Sequence, residues 1–268
     1  MVIYMFPYFE IFGKTIGMYT ICAFMGFFIA ICVCIKLAKP LGMSFEDVII
    51  TFLILLCGLL IGGHLLYGIT HIDKVIALIK LGKFELKHLK VIFGGNVFYG
   101  GFIGSVISLS IYSKRKKTMA KQGFMDIYAV CVPLFHAFGR IGCFLGGCCY
   151  GVESDFGFIA PHNDLLPGFG GVRRFPISLV ECVFNLLLFA LLLYLYKKQR
   201  FSGKMIYVYM LIYPVGRFIF EFFRGDSIRG IYFGLSTSQW ISIVLFIIGI
   251  IGVFGKKLFK KQNAEKAE

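Results

Sequence analysis

Seven stretches of this chain, roughly 16–37, 46–69, 91–112, 125–147, 176–196, 205–223 and 238–255, are apolar over about the length that crosses a bilayer. A hydrocarbon core is crossed by ~20 helical residues. A backbone in lipid must satisfy its own polar groups, which favours helices over open sheets. The expected fold is therefore all-α: a polytopic integral membrane protein with about seven transmembrane helices, residues 1–268 forming a single transmembrane domain. The 91–112 run is the least regular, because it opens on glycines and Asn96, and the 205–223 run carries Arg217 and Glu221. Composition agrees with a membrane chain. It is 58% hydrophobic and 16% charged, whereas a soluble domain has roughly 25% charged residues.

A net charge of +14 invites a nucleic-acid reading, but the basic residues gather at the ends of apolar runs: Lys114-Arg115-Lys116-Lys117, Lys197-Lys198 and Lys256-Lys257. That is the pattern of the positive-inside bias. No nucleic acid is expected as a partner. The bias places the N-terminus outside and the C-terminus in the cytoplasm. Residues 1–15 lack a basic leader region, so the first run is expected to be a retained span. Two external segments are long enough to carry structure. Residues 70–90 alternate lysines with Ile79, Leu81, Phe84, Leu86 and Leu89 and predict an amphipathic surface helix. Residues 148–175, rich in glycine, proline and polar side chains, predict an irregular loop that could cover a site in the bundle.

Ionisable residues inside apolar runs are few: His64, Arg140, Glu181, Arg217 and Glu221, with Arg224 at a run's end. Each should face the bundle interior or a wet cavity. Arg217 and Glu221 are four apart and share a helix face, and Arg224 extends the pair. Arg140 has no counter-charge three or four residues away. It must find a carboxylate elsewhere, with Glu181 the one at hand, or an anionic ligand. The glycines beside it, in Gly139-Arg140-Ile141-Gly142-Cys143-Phe144-Leu145-Gly146-Gly147-Cys148-Cys149, let backbone N–H groups approach a bound group. A second glycine cluster, Gly94-Gly95-Asn96-Val97-Phe98-Tyr99-Gly100-Gly101, suits a broken helix start that lines a cavity. Tyr99 could act there or serve as an ordinary interfacial anchor. His64, Tyr19 and Tyr213 carry the same ambiguity, and Tyr213 shares a helix face with Arg217.

The nine cysteines do not read as a disulfide framework. Cys148 and Cys149 are neighbours, and a bridge between neighbours is strained. The Cys-x4-Cys-Cys spacing of Cys143, Cys148 and Cys149 is not a standard zinc pattern, so no metal and no cofactor is expected. Thiolates beside Arg140 would be more reactive than usual, which keeps a thiol-redox protein as an alternative.

Three motifs lie on separate runs: the segment with two Gly-Gly pairs, then the glycine–arginine segment, then Tyr213-x-x-x-Arg217-Phe-Ile-Phe-Glu221-Phe-Phe-Arg224. The combination resembles the prolipoprotein diacylglyceryl transferase family over nearly the whole chain, from Tyr19 to about Trp240. Pro176 with Glu181 resembles a further motif of that family. The resemblance implies a bacterial inner-membrane, multi-pass enzyme. It would move the diacylglyceryl group of phosphatidylglycerol, a membrane lipid, onto the lipobox cysteine of a prolipoprotein signal peptide, releasing glycerol phosphate. It implies catalytic roles for Tyr99, Arg140, Arg217 and His64, and substrate binding by Tyr19, Gly100, Gly101, Gly142, Cys143, Tyr213, Glu221 and Arg224.

This chain departs from the family pattern at several of those positions. The family's His-Gly-Gly is Tyr99-Gly100-Gly101, its Gly-Gly-Arg is Gly62-Gly63-His64, and an Asn and a Glu of its first motif are Cys143 and Cys148. Two alternatives stand beside the transferase: a divergent relative using another acceptor or another anionic lipid, and a non-catalytic lipid-binding or transport protein. A transporter would more often show paired broken helices in two related halves, and no such symmetry is visible.

Overall fold

A computed structural model describes residues 8–11, 14–82, 85, 88, 93–115, 121–159, 171–225 and 231–265. Its helices are α1 (Met18–Ala38), α2 (Phe45–Thr70), α3 (Ile72–Lys80), α4 (Phe98–Arg115), α5 (Lys121–Leu145), α6 (Ile177–Lys197), α7 (Met205–Phe220) and α8 (Thr237–Glu265). Three small antiparallel pairs accompany them: β1 (Tyr8–Ile11) with β2 (Lys14–Gly17), β3 (Glu153–Ile159) with β4 (Arg173–Arg174), and β5 (Ile231–Tyr232) with β6 (Leu235–Ser236). Among the described residues six helical stretches are long and apolar enough to cross a membrane: Met18–Leu41, Phe45–Thr70, Gly123–Leu145, Ile177–Lys197, Met205–Phe223 and Thr237–Gly255. The remaining expected span, 91–112, enters its helix only at Phe98, and α4 has 18 residues with Lys114 and Arg115 at its end. The fold is the all-α polytopic one.

The chain divides into two compact units, one of residues 1–34 and 125–268 and the other of residues 35–124. In the 35–124 unit, α2 starts at Ser44, whose hydroxyl accepts the Asp47 N–H at 3.1 Å. Glu46 and Asp47 in the first turn complement the positive end of the helix dipole. α2 packs along α4 at glycines spaced four apart on each helix, Gly58 and Gly62 facing Gly100 and Gly104. A Cβ on Gly62 would stand 2.9 Å from the Gly104 Cα, and one on Gly104 would stand 3.0 Å from the Gly62 Cα. Without Cβ atoms the two backbones approach closely, the contact that small-residue spacing provides in lipid. Of the 70–90 segment, Ile72–Lys80 is helical. Residues 83, 84, 86, 87, 89 and 90 lie outside the described residues.

In the other unit, α1 and α5 meet where Gly26 lies under Phe138, with a Gly26 Cβ position 3.3 Å from the Phe135 carbonyl. The start of α7 is held by α5. The buried Asp126 carboxylate accepts the N–H of Gly203 and, at 3.0 Å, that of Met205, supplying a cap to two donors that a helix start leaves open. α8 closes on α7, with Gly252 against Tyr207 and Gly249 against Leu211.

The 148–175 segment differs from the irregular loop expected. β3 pairs with β4, with Glu153 opposite Arg174 and a register irregularity between Glu153 and Phe158. Gly157, at φ +142°, lies within that irregularity, where a Cβ would meet the Arg174 backbone. Opposite charge across the pair (Arg174 to Glu153, 3.9 Å) and Arg174 lying over the Tyr150 ring at 4.5 Å favour the hairpin. Residues 160–170 lie outside the described residues.

Gly104→Val should lower the melting temperature in detergent by the equivalent of ~1–3 kcal/mol, because the added branch meets the α2 backbone. Gly139→Ala, whose Cβ would meet nothing within 4 Å, should leave it nearly unchanged. A Gly104→Val protein as stable as the parent would contradict the glycine-mediated crossing.

Candidate active site

Glu181 of α6 is the centre of a buried charge cluster in the unit of residues 1–34 and 125–268. Its residue is 1% exposed. Arg140 Nη2 of α5 lies 2.7 Å from Glu181 Oε2. Arg224 Nη1 lies 3.6 Å, and Arg217 Nη1 4.0 Å, from Glu181 Oε1. Arg217 also pairs through Nη2 with Glu221, one turn on, and donates to the Ser238 hydroxyl at 3.2 Å. The partner that Arg140 lacks on its own helix is thus Glu181, while the Arg217–Glu221 pairing is the one their spacing predicts.

Among the described residues three guanidinium groups face two carboxylates, an excess of one positive charge within that set. Arg217 Nη1 has no hydrogen-bond partner among the described residues. A buried, incompletely paired guanidinium is costly, and a bound oxyanion is the ligand that would relieve it. Aromatic rings hold the arginines from one side. Arg140 Nε donates to His136 Nε2 at 3.2 Å, so the His136 ring carries its proton on Nδ1 when neutral. The His136 ring meets Tyr213 at 5.3 Å, and Tyr213 stacks on Tyr209 at 5.2 Å.

Gly142 permits the approach of α1. A Cβ there would stand 2.9 Å from the Tyr19 Cα and 3.0 Å from the Cys22 Cβ, so Tyr19 sits beside the turn of α5 that follows Arg140. Beyond Gly142 the helix ends in a defined way. Gly147 N–H donates to the Phe144 carbonyl and Cys148 N–H to the Cys143 carbonyl, with Gly147 left-handed at φ +68°. This is the Schellman termination, which folds the chain back over the last helical turn. It carries Cys148 onto Cys143. Cys149 is left-handed too, at φ +56°, a conformation that costs a non-glycine residue about 1–2 kcal/mol. Its carbonyl is held by the Ser178 hydroxyl at 3.0 Å. The three sulfurs of Cys143, Cys148 and Cys149 all lie within 4.8 Å of one another. Hydrogen bonds from the Cys143 and Cys148 thiols pull the Cys149 thiol well below the usual range, and the charges of Arg140 and Arg224 act in the same direction. After the cysteines the chain pairs with the end of α7's extension: Val152 N–H donates to the Phe223 carbonyl and Gly225 N–H to the Tyr150 carbonyl, each at 3.0 Å. That pairing places Arg224 alongside the cysteine turn.

Arg140, Gly142, Cys143, Tyr19, Tyr213, Arg217, Glu221 and Arg224 therefore belong to one unit. Tyr99, Gly100, Gly101 and His64 belong to the 35–124 unit. There Tyr99 is buried in the first turn of α4. Gly100 and Gly101 are helical rather than part of a broken start, and both lie against α2. The irregular backbone falls earlier, at Gly94 and Gly95. His64 Nδ1 donates to the Gly95 carbonyl at 2.7 Å, which leaves Nε2 of the neutral ring as a proton acceptor. The sequence singles out Cys143, Cys148 and Cys149 but not the turn that gathers them, nor Ser178, which holds that turn. The signal for the turn is the Gly-Gly pair at a helix end directly before two cysteines.

The sequence also matches known proteins over nearly its whole length. A family model described as prolipoprotein diacylglyceryl transferase matches residues 7–255. A phosphatidylglycerol–prolipoprotein diacylglyceryl transferase of Clostridium tetani is 35% identical over 256 residues, covering 95% of this chain and 98% of the relative. A second, from Clostridium perfringens, is 35% identical over 266 residues, covering 96% and 98%. A third, from Streptococcus uberis, is 32% identical over 251 residues, covering 88% of each chain. With that identity and coverage, and six helices long and apolar enough to cross a membrane among the described residues, the chain belongs to the prolipoprotein diacylglyceryl transferase family.

Proposed function

We propose that this protein transfers the diacylglyceryl group of phosphatidylglycerol to the lipobox cysteine of a prolipoprotein in the bacterial inner membrane, with its N-terminus outside. The observation that carries the reading is the excess positive charge around Glu181. The reaction moves negative charge onto a departing phosphate, and donors fixed in advance stabilise that charge as the bond breaks. Arg140 and Arg217 take the phosphate, Arg217 through the Nη1 group that has no hydrogen-bond partner among the described residues. Glu181, Glu221 and Ser238 hold the guanidinium planes in place. Tyr19 and Tyr213 orient the head group.

The acceptor thiol must lose its proton. Tyr99 stands in the position of the family's His, and a phenol is by its ordinary chemistry a poor base at neutral pH. His64 is the better one, because its ring is anchored at Nδ1 and its other nitrogen accepts. The substitution at Tyr99 also supports a second reading, in which the same site serves another acceptor or another anionic lipid.

Purified protein in detergent, given phosphatidylglycerol labelled in its glycerol head group and a synthetic lipobox peptide, should release labelled glycerol phosphate in step with a diacylglyceryl mass gain on the peptide. Arg140→Ala should lower the rate by about 100-fold or more, the size seen when one charge-stabilising donor is removed. Lipid binding without turnover would favour the second reading. His64→Gln should abolish transfer while phosphatidylglycerol still binds, and full activity would remove His64 from the mechanism. Glu181→Gln leaves the guanidinium groups under-compensated. It should cost ~3–5 kcal/mol of stability, seen as a lower melting temperature in detergent that phosphatidylglycerol partly restores.

A further inference from the structure

Among the described residues, the cysteine turn is a group of reactive side chains that the phosphate chemistry does not use. Cys143, Cys148 and Cys149 bring three sulfurs within 4.8 Å of one another. Three thiolates on one zinc ion stand about 4 Å apart, given Zn–S bonds of ≈ 2.3 Å. The observed cluster lies within ~1 Å of that arrangement. Two left-handed residues, Gly147 and Cys149, are needed to build it. One of them is not glycine, and strain of that kind gathers at functional sites. Among the described residues no fourth His, Cys or carboxylate atom joins the group. Structural zinc sites carry four protein ligands, whereas three with an open position mark a site that takes water or substrate. The depth is graded: Cys143 is buried and Cys148 exposed, so an ion there would be rooted in the bundle and open at its outer side.

The turn also has cationic neighbours. Three thiolates around a divalent ion carry one net negative charge. Arg140 stands one turn before Cys143 on α5, and the bridge between Gly151 and Arg224 sets Arg224 beside the turn. A disulfide reading is weaker, since Cys148 and Cys149 are sequence neighbours and the third sulfur would be left without a role.

We propose that Cys143, Cys148 and Cys149 hold a zinc ion whose open fourth position binds the acceptor cysteine of the prolipoprotein as a thiolate. The inference rests on the transferase reading. A metal-bound thiol gives up its proton readily. The acceptor S–H loses that proton to the base or to solvent as its sulfur enters the fourth position. A sulfur lone pair then forms the C–S bond to the glycerol carbon that bears the phosphate. The C–O bond to phosphate breaks, and its electron pair leaves with glycerol phosphate. Nothing is oxidised or reduced. A chain that lacks the family's His at position 99 would thereby gain another route to a thiolate.

The test is cobalt substitution. Protein stripped by chelation and loaded with one equivalent of Co(II) should show sulfur-to-cobalt charge-transfer absorption, which weakens in Cys148→Ser and is lost in the variant with all three cysteines changed to Ser. A lipobox peptide should strengthen that absorption, and the same peptide with Ser in place of its cysteine should not. Melting temperature and phosphatidylglycerol binding confirm that the variants are folded. Absence of charge transfer, or cobalt bound equally well by the triple variant, overturns the site. A spectrum that the cysteine peptide leaves unchanged overturns the role of the fourth position. Full transfer by protein shown to be metal-free overturns the zinc inference and leaves the transferase standing, whereas no transfer by zinc-loaded protein overturns the transferase reading itself.

Discussion

One buried carboxylate organises this protein's site. Glu181 is almost wholly withdrawn from solvent, yet it faces the guanidinium groups of Arg140, Arg217 and Arg224, which come from α5, α7 and the segment after α7. Remove its charge and, among the described residues, three guanidinium groups share one remaining carboxylate. Keep it, and that set retains a single positive charge. In the proposed function a phosphodiester, which also carries one negative charge, offsets it. Position and sign both follow from where one glutamate sits on α6.

The backbone around the cluster is built to bring distant residues to it. Asp126 on α5 caps the start of α7, which fixes the helix carrying Tyr213 and Arg217. Gly142 lets α1 come close enough for Tyr19 to border the turn after Arg140. The Schellman termination at Gly147 turns the chain back, and the pairing of residues 150–152 with 223–225 ties that turn to Arg224. Each device is a local hydrogen-bonding or steric solution. Together they concentrate the arginines and the cysteines at one end of α5.

Much of this was legible in the sequence. The apolar runs gave the helices because a span needs ~20 residues and little else. The pairing of Arg217 with Glu221 followed from their i, i+4 spacing, and Glu181 was the carboxylate at hand for Arg140. Where two side chains from different helices had to meet, the sequence named candidates without a geometry. Gly100 and Gly101 were read for a broken helix start, while their contacts are with α2, because a glycine that admits a ligand and one that admits a neighbouring helix look alike in sequence. The β3–β4 pair was hidden by a glycine- and proline-rich composition, and it depends on the cross-strand partnership of Glu153 and Arg174. The sulfur cluster was hidden most deeply. Cys-x4-Cys-Cys fits no zinc spacing, and only the left-handed backbone at Gly147 and Cys149 folds it into a three-sulfur group.

If the positive excess around Glu181 seats the phosphate of phosphatidylglycerol, an experimental structure of the protein with that lipid bound should show phosphate density within hydrogen-bonding distance of Arg140 and of Arg217 Nη1, with Glu181 still paired to Arg140. A phosphate resolved elsewhere on the protein, with the arginine cluster closed on its own carboxylates, would contradict it.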